Sequence, residues 1–319
     1  MQTKQRYLDE VRDVLDSAAR EHATTFNPEY CFDSIIDEGY ARIAIKASQT
    51  IDNVEAHVRE ELYKICSILR CTPLIIGERT RKRPLQDGVV HTRGSISVIT
   101  LETLRRILEE HAFPFLLAKK GGVYVIMDGE KMKIAREAGG HSRGDIAERM
   151  GLSRRAIYEY ERGTMNPTID VALRLEELLD TTLIEPLNLF AILNTSDRSK
   201  VTQEPLSRQT KFTKTAIEVF SRLGFSSTLA NDAPFNLLNS LRQHVILSYL
   251  KQRLEHLDEE RIDFLAKLAD VLNENPVIVA SESTTVDAIN GIPVVYLKEL
   301  LSLHKSSEFI TLIQSRRGA

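Results

Sequence analysis

The sequence predicts a multidomain chain in which two similar α/β segments flank an all-α centre, and three observations carry that prediction. The stretch from Phe26 to Ile76 returns between Leu229 and Val279 at one constant shift of 203 positions, which lays Phe32 on Phe235. Between the two stretches, roughly 128 to 194, short helical periods alternate with well-placed stops. The chain also has the size and make-up for several packed layers: 319 residues, 42% hydrophobic and 27% charged, against a prior of about 150 residues per domain.

Each copy reads as a leading helix (Leu8 to Ala19; Ala216 to Leu223), two short strands joined by a turn, and a second helix (Val54 to Leu69; Glu260 to Leu272). A strand (Leu74 to Gly77; Val277 to Ala280), a further short strand and a helix (Leu101 to Glu110; Lys298 to His304) complete it. Leu62, Ile65 and Leu69 match Leu265, Leu268 and Leu272 at the i, i+3, i+7 spacing of one helix face. The same shift aligns Pro73 with Pro276 and the switches between strand and helix, which favours a duplication over two unrelated α/β segments. After a shortening of seven residues, Ser95 to Ile99 falls over Gly291 to Val295, and Leu104 over Leu300, a shift of 196. The alternation implies a mixed sheet flanked by helices. It divides the chain into 1–127, 128–194, a polar linker over 195–210, and 211–319. Whether the copies pair within one chain or between chains is left open.

The centre is entered through Gly121-Gly122 and the apolar strand Val123 to Met127. Ser142 can cap a helix that buries Ile146, Ala147 and Met150; Gly151 allows a left-handed turn residue; Ser153 can cap the next helix, Arg154 to Arg162, anchored by Ile157. Two short helices joined by a tight turn make the helix-turn-helix arrangement. Its second helix enters the major groove with its N-terminal residues towards base edges. Arg154 and Arg155 then stand where a guanidinium reaches O6 and N7 of guanine, a contact that gives about 1–3 kcal/mol of discrimination. Glu159, one turn on, can accept from a cytosine amine or orient an arginine. Ser153, Tyr158, Arg162, Thr164 and Asn166 flank the groove as phosphate contacts, and Arg143 joins a cation to free helix N–H groups as a phosphate clamp.

Composition excludes other classes. A net charge of −3 decides nothing about nucleic acid, because binding depends on where charge sits. No apolar run approaches the ~18 residues that span a bilayer, and the N-terminal residues lack a signal-peptide core, so the expectation is a cytoplasmic protein without membrane contact. Cys31, Cys66 and Cys71 are odd in number and form no C-x-x-C pair, which reads as reduced thiols and no metal site. No P-loop, G-x-S-x-G or H-E-x-x-H is present, so neither cofactor nor common catalytic motif is implied. His91, His111 and His141 are isolated, and Arg79, Arg81, Lys82 and Arg83 form a basic loop that either extends the phosphate contacts or, as the default reading, is simply solvated.

The centre resembles the Cro/repressor-type helix-turn-helix family over about 60 residues: Arg136, Gly140, Ile146-Ala147, Gly151, Ile157, Glu161, Gly163 and Pro167 stand at the family's spacing. That resemblance implies a five-helix domain with a buried Arg136–Glu161 ion pair that serves architecture. Arg143 replaces the family's usual Gln, and Gly144 after it weakens the helix by about 1 kcal/mol relative to Ala. The flanking copies resemble the restriction-endonuclease or Holliday-junction-resolvase-like fold, in which an Asp and a Glu-x-Lys hold magnesium. Asp33 and Lys46 are in place, but Ala44 stands where the Glu should be, and the second copy has Asn236, Leu247 and Tyr249, so both nuclease-like copies are degenerate. The whole chain resembles the archaeal helix-turn-helix transcriptional regulatory proteins. The resemblance implies a DNA-binding regulator of transcription. With the missing Glu, the expectation is a non-enzymatic, sequence-specific repressor or activator that binds double-stranded DNA as a homodimer, because one recognition helix reads too few base pairs, the copies supplying the dimer surface. Alternatives are a structure-specific nuclease targeted by the centre, and a scaffold that brings a partner protein to DNA.

Overall fold

The computed structural model of the chain describes residues 2–190 and 209–317, apart from 243, 256, 283 and 284. The expected linker lies outside the described residues over 195–208. Two compact units emerge: Met1–Ala47, Asn53–Leu74 and Phe190–Ala319 form the first, and Ser48–Asp52 with Ile75–Leu189 the second. The border between these two units runs inside the first repeat. No described helix is long and apolar enough to cross a membrane.

The first copy begins with α1 (Gln2–Ala18), which buries Tyr7, Val11 and Leu15 at i, i+4, i+8. The strands β1 (Glu21–Thr24), β2 (Ser34–Asp37) and β3 (Arg42–Ala47) make an antiparallel meander, and α2 (Ala56–Leu69) follows. The chain continues through β4 (Thr72–Ile76), the hairpin β5 (Val89–Arg93) and β6 (Ile96–Ile99), and α3 (Leu101–Glu110). Thr100 caps α3, its hydroxyl accepting from the Thr103 N–H at 3.2 Å.

In the second unit β6, β5, β7 (Leu116–Lys119), β8 (Gly122–Met127) and β9 (Ile184–Glu185) hydrogen-bond in that order. Between β8 and β9 stand α4 (Gly129–Ala138), α5 (Arg143–Met150), α6 (Arg154–Glu161) and α7 (Ile169–Leu179). The centre thus has four helices among the described residues where five were expected. The chain after α7 is instead drawn into the sheet: Glu176 accepts from the Leu183 and Ile184 N–H groups at 2.6 and 2.8 Å, and Ile184 pairs with Met127.

The second copy, wholly in the first unit, runs α8 (Lys211–Arg222), β10 (Ser226–Leu229), β11 (Leu237–Leu241), β12 (His244–Lys251), α9 (Glu259–Leu272), β13 (Asn275–Ala280), β14 (Ala288–Ile289), β15 (Ile292–Tyr296), α10 (Leu297–Ser302) and α11 (Ser306–Arg316). Its sheet order is β10-β11-β12-β13-β15-β14, parallel at β12–β13 and β13–β15. Phe220, Phe225 and Phe309 meet edge to face in its core, with ring centres 5.3–5.9 Å apart.

Register makes the duplication quantitative. The pairs Ser34↔Ile45 and Asp37↔Arg42 of β2–β3 become Leu237↔Ser248 and Ser240↔Val245 of β11–β12 when 203 is added to each member. The pairs Thr92↔Ser97 and Arg93↔Ile96 become Ala288↔Pro293 and Ile289↔Ile292 when 196 is added. Helices α2 and α9 coincide at both ends, and each stops on a left-handed residue, Arg70 (φ 57°) and Asn273 (φ 50°). The first strand slides: Ala23↔Ile35 corresponds to Ser226↔Ser240, a step of two residues that keeps the same faces inward.

The copies pair within one chain. The Cys31 N–H donates to the Asp232 carbonyl at 2.7 Å, and the Asn231 N–H donates to Glu61 Oε1 at 3.1 Å. Helix α9 lies against β1 and β2 and stacks Phe264 on Tyr30. Cys31, Cys66 and Cys71 are free and buried, and burial pushes the Cys71 thiol up to about 12.

Candidate nucleic-acid interface

Helices α4 to α7 close around Met132, Ile146, Ala147, Met150, Ile157, Tyr160 and Leu175. Their entries are fixed by side chains, as the sequence predicts. Ser142 and Asp145 form a reciprocal box on α5: the Asp145 N–H donates to Ser142 Oγ at 3.2 Å and the Ser142 N–H to Asp145 Oδ2 at 2.7 Å. Gly151 ends α5 at φ 66°. Ser153 accepts from the Ala156 N–H at 3.0 Å, so this expected phosphate contact has its oxygen engaged in capping α6.

Arg136 and Glu161 form the expected buried pair, with Nε 2.5 Å from Oε1 and the side chains 7% and 2% exposed. Arg136 also donates to the His141 carbonyl at 2.8 Å, tying α4 to the entry of α5. Arg143, expected on phosphate, donates its Nε to Glu161 Oε2 at 2.7 Å and lays its guanidinium 5.2 Å from the Tyr158 ring centre. Burial alone would raise the Glu161 carboxyl, but the hydrogen bonds from the two arginines outweigh it and hold it below its ordinary value. An arginine in place of the family's glutamine thus finds its use as the second half of a clamp.

The outward side of α6 carries the remaining candidates. The Arg155 side chain is 87% exposed, with its Nε 3.8 Å from Glu159 Oε1. Glu159 also accepts from the Thr164 hydroxyl, and the Thr164 N–H donates to the Glu159 carbonyl at 3.0 Å. Arg162 donates to Tyr158 Oη at 3.0 Å, and both are exposed. Asn166 is half-buried beside Pro167.

Two glycines have roles that sequence reasoning missed. A Cβ on Gly144 would stand 2.6 Å from Arg154 Nη2 and 3.0 Å from its Cζ, so the bare backbone at the start of α5 seats the Arg154 guanidinium. A Cβ on Gly129 would run into the Tyr160 and Glu161 carbonyls, so α4 packs directly on the end of α6. Stops near helix ends were the visible signal; close approach was not.

The nuclease-like position is filled differently in each copy. Asp33 accepts from Lys46 Nζ at 2.9 Å and from the Ala47 N–H at 2.7 Å, and Lys46 also donates to the Tyr30 carbonyl at 2.7 Å. In the second copy Asn236 accepts from the Leu250 N–H at 2.8 Å, the counterpart of Ala47. Arg261 stacks 4.4 Å from the Tyr249 ring centre and donates to the Ala233 carbonyl at 3.1 Å, the counterpart of Tyr30. With Ala44 in place of the second acid and Asp33 committed to Lys46, the residues present do not fit a magnesium ion. Among the described residues no cluster of three or more His, Cys, Asp or Glu could hold a metal.

Comparison with known proteins follows the same division. The PD-(D/E)XK superfamily domain matches residues 4–114, and the helix-turn-helix family matches residues 132–185. A protein of Methanocaldococcus jannaschii is 35% identical over 289 residues, 89% of this chain and 89% of that one. One of Thermococcus gammatolerans is 28% identical over 313 residues (98% and 96%), and one of Thermococcus kodakarensis 27% over 310 (97% and 95%). Each bears the name "Putative HTH-type transcriptional regulatory protein". No solved structure matches.

Proposed function

Because the chain belongs to the family of these archaeal HTH-type transcriptional regulatory proteins, we propose that it is a regulator that reads double-stranded DNA by sequence and does not cut it. Residues 154–162 lie in the major groove, with Arg154, Arg155 and Glu159 towards base edges and Tyr158, Arg162, Thr164 and Asn166 towards phosphates. The observation that carries this reading is the division of α6 into two faces. Ile157, Tyr160 and Glu161 are buried in the domain, while Arg154, Arg155, Tyr158 and Arg162 are exposed. Binding without cleavage is supported by Asp33, whose carboxylate serves Lys46 and a strand N–H.

One such helix reads few base pairs, so two chains act together on a site with two-fold symmetry, their reading helices about 34 Å apart. The surface that joins them lies outside the faces of β1, β2 and α9 that already join the two copies of one chain. Selection from random duplexes tests the assignment. The pair Arg154→Ala/Arg155→Ala is expected to relax the preferred sequence by about 1–3 kcal/mol per base pair read, roughly 5- to 150-fold in affinity ratio. Unchanged selectivity would remove these residues from the reading role.

A further inference from the structure

Three segments bring cations to strands β5 and β7 of the second unit's sheet. Strand β7 runs parallel to β5, so Lys119 ends at the same side as Arg93, and the tip Lys120-Gly121 turns the chain back into β8 there. Gly121 and Gly122 hold φ of 105° and 153°, which fixes a tight tip, and the Lys119 ammonium stands 6.0 Å from the Tyr124 ring centre. The loop 78–84 leaves the sheet at its other end, where the Gly77 N–H donates to the Ile99 carbonyl at 3.1 Å, and is tied back to Arg93 by Asp52, which accepts from Arg93 Nη2 at 2.9 Å and from the Arg81 N–H at 2.8 Å. The loop is built, not slack: Thr80 Oγ1 accepts from the Lys82 and Arg83 N–H groups at 3.1 and 2.9 Å, and the Leu85 N–H closes it on the Glu78 carbonyl at 2.8 Å. It is also the extra length of the first copy, because the shift drops from 203 to 196 across it.

Lys82, Arg83, Lys119 and Lys120 are exposed, and among the described residues none of them forms an ion pair. The acids of these segments are Asp52, already engaged, and Glu78; Asp170 opens α7 nearby in the chain. The hairpin is fastened to the reading domain, since Tyr124 bridges Thr168 and the Val125 N–H donates to the Pro167 carbonyl at 3.1 Å. Thr168 and Pro167 belong to the segment that leads from α6 into α7. The hairpin itself falls between the two family matches, which end at 114 and resume at 132.

We propose that this loop and the hairpin tip form a second DNA-backbone surface: Lys82, Arg83, Lys119 and Lys120 bind phosphates of the duplex that α6 reads, outside the base pairs it contacts. The inference rests on the proposed reading of double-stranded DNA. Phosphate contacts hold register and strength without sequence information, and each releases counterions. The test is the salt dependence of binding by the full chain, on its selected duplex and on a random one. The variant Lys82→Gln/Arg83→Gln/Lys119→Gln/Lys120→Gln should weaken both alike, lower the log–log salt slope by about 1 for each phosphate no longer neutralised, and keep the base preference. The charge-preserving Lys82→Arg/Lys119→Arg/Lys120→Arg should retain the slope. An unchanged slope in the Gln variant, or a loss of base preference in it, would overturn the proposal. Loss of selectivity in Arg154→Ala/Arg155→Ala with an unchanged slope in the Gln variant would leave the reading helix standing and remove the second surface alone.

Discussion

The two copies of the α/β fold share a register yet fill one position in opposite ways. In the first, a carboxylate and an ammonium from neighbouring strands, Asp33 and Lys46, face each other. In the second, an amide takes the carboxylate's place and the cation comes from a helix, Arg261, over a tyrosine. What persists is an acceptor for one strand N–H and a cation on one carbonyl, Tyr30 or Ala233. The difference teaches that the fold asks this position for hydrogen bonds, which an Asp–Lys couple supplies in one copy and Asn236 with Arg261 in the other. A second contrast lies on the paired helices: Glu61 on α2 receives the Asn231 N–H, whereas its counterpart on α9, Phe264, stacks on Tyr30.

The largest expected effect breaks the Asp33–Lys46 couple. Asp33→Ala leaves Lys46, 14% exposed, without its counter-charge and should cost about 3–5 kcal/mol in urea unfolding. Asn236→Ala loses one neutral hydrogen bond and should cost about 1–2 kcal/mol. Equal costs would mean that charge plays no part and the contrast is one of sequence only. Next comes Arg261→Ala, which strips a donor from the Ala233 and Pro234 carbonyls and should cost about 1–3 kcal/mol; no cost would show that the second copy needs no cation.

The smallest effect concerns Glu61. Burial pushes its carboxyl up, more than Lys64 at 2.5 Å pulls it down. A carboxyl raised in the folded state favours the protonated form there, so its contribution is full below its unfolded value and is lost as pH rises through the raised one. The wild-type chain should therefore lose a little stability from acid to neutral pH that Glu61→Gln does not lose, read as the difference between their midpoint curves. Parallel curves would place Glu61 in an environment no drier than solvent.

Much of this was legible in the sequence because it is local or periodic. The shifts of 203 and 196 return as strand registers, and Ser142, Gly151 and Ser153 cap and stop the helices they were expected to. The buried Arg136–Glu161 pair likewise follows from the family spacing. What stayed hidden depends on partners far apart in the chain. No pattern around Asn231 or Asp232 announces that their backbone meets Glu61 and Cys31. The seat that Gly144 offers Arg154, and the recruitment of Arg143 to Glu161, need the angle between α5 and α6, which spacing does not fix. That the described residues hold four helices and not five has the same origin, because Glu176 captures the following strand through two N–H groups.

The intrachain pairing of the copies has a consequence for how the protein can change. When two identical chains associate, any substitution is felt on both sides of the axis at once, so an improvement on one side is copied as a flaw on the other. Here the partners at Cys31 and Asp232 are separate positions of one polypeptide. Each half can diverge without its twin: one retains the extra basic loop, the other trades a strand lysine for a helix arginine, and neither innovation has to be tolerated twice.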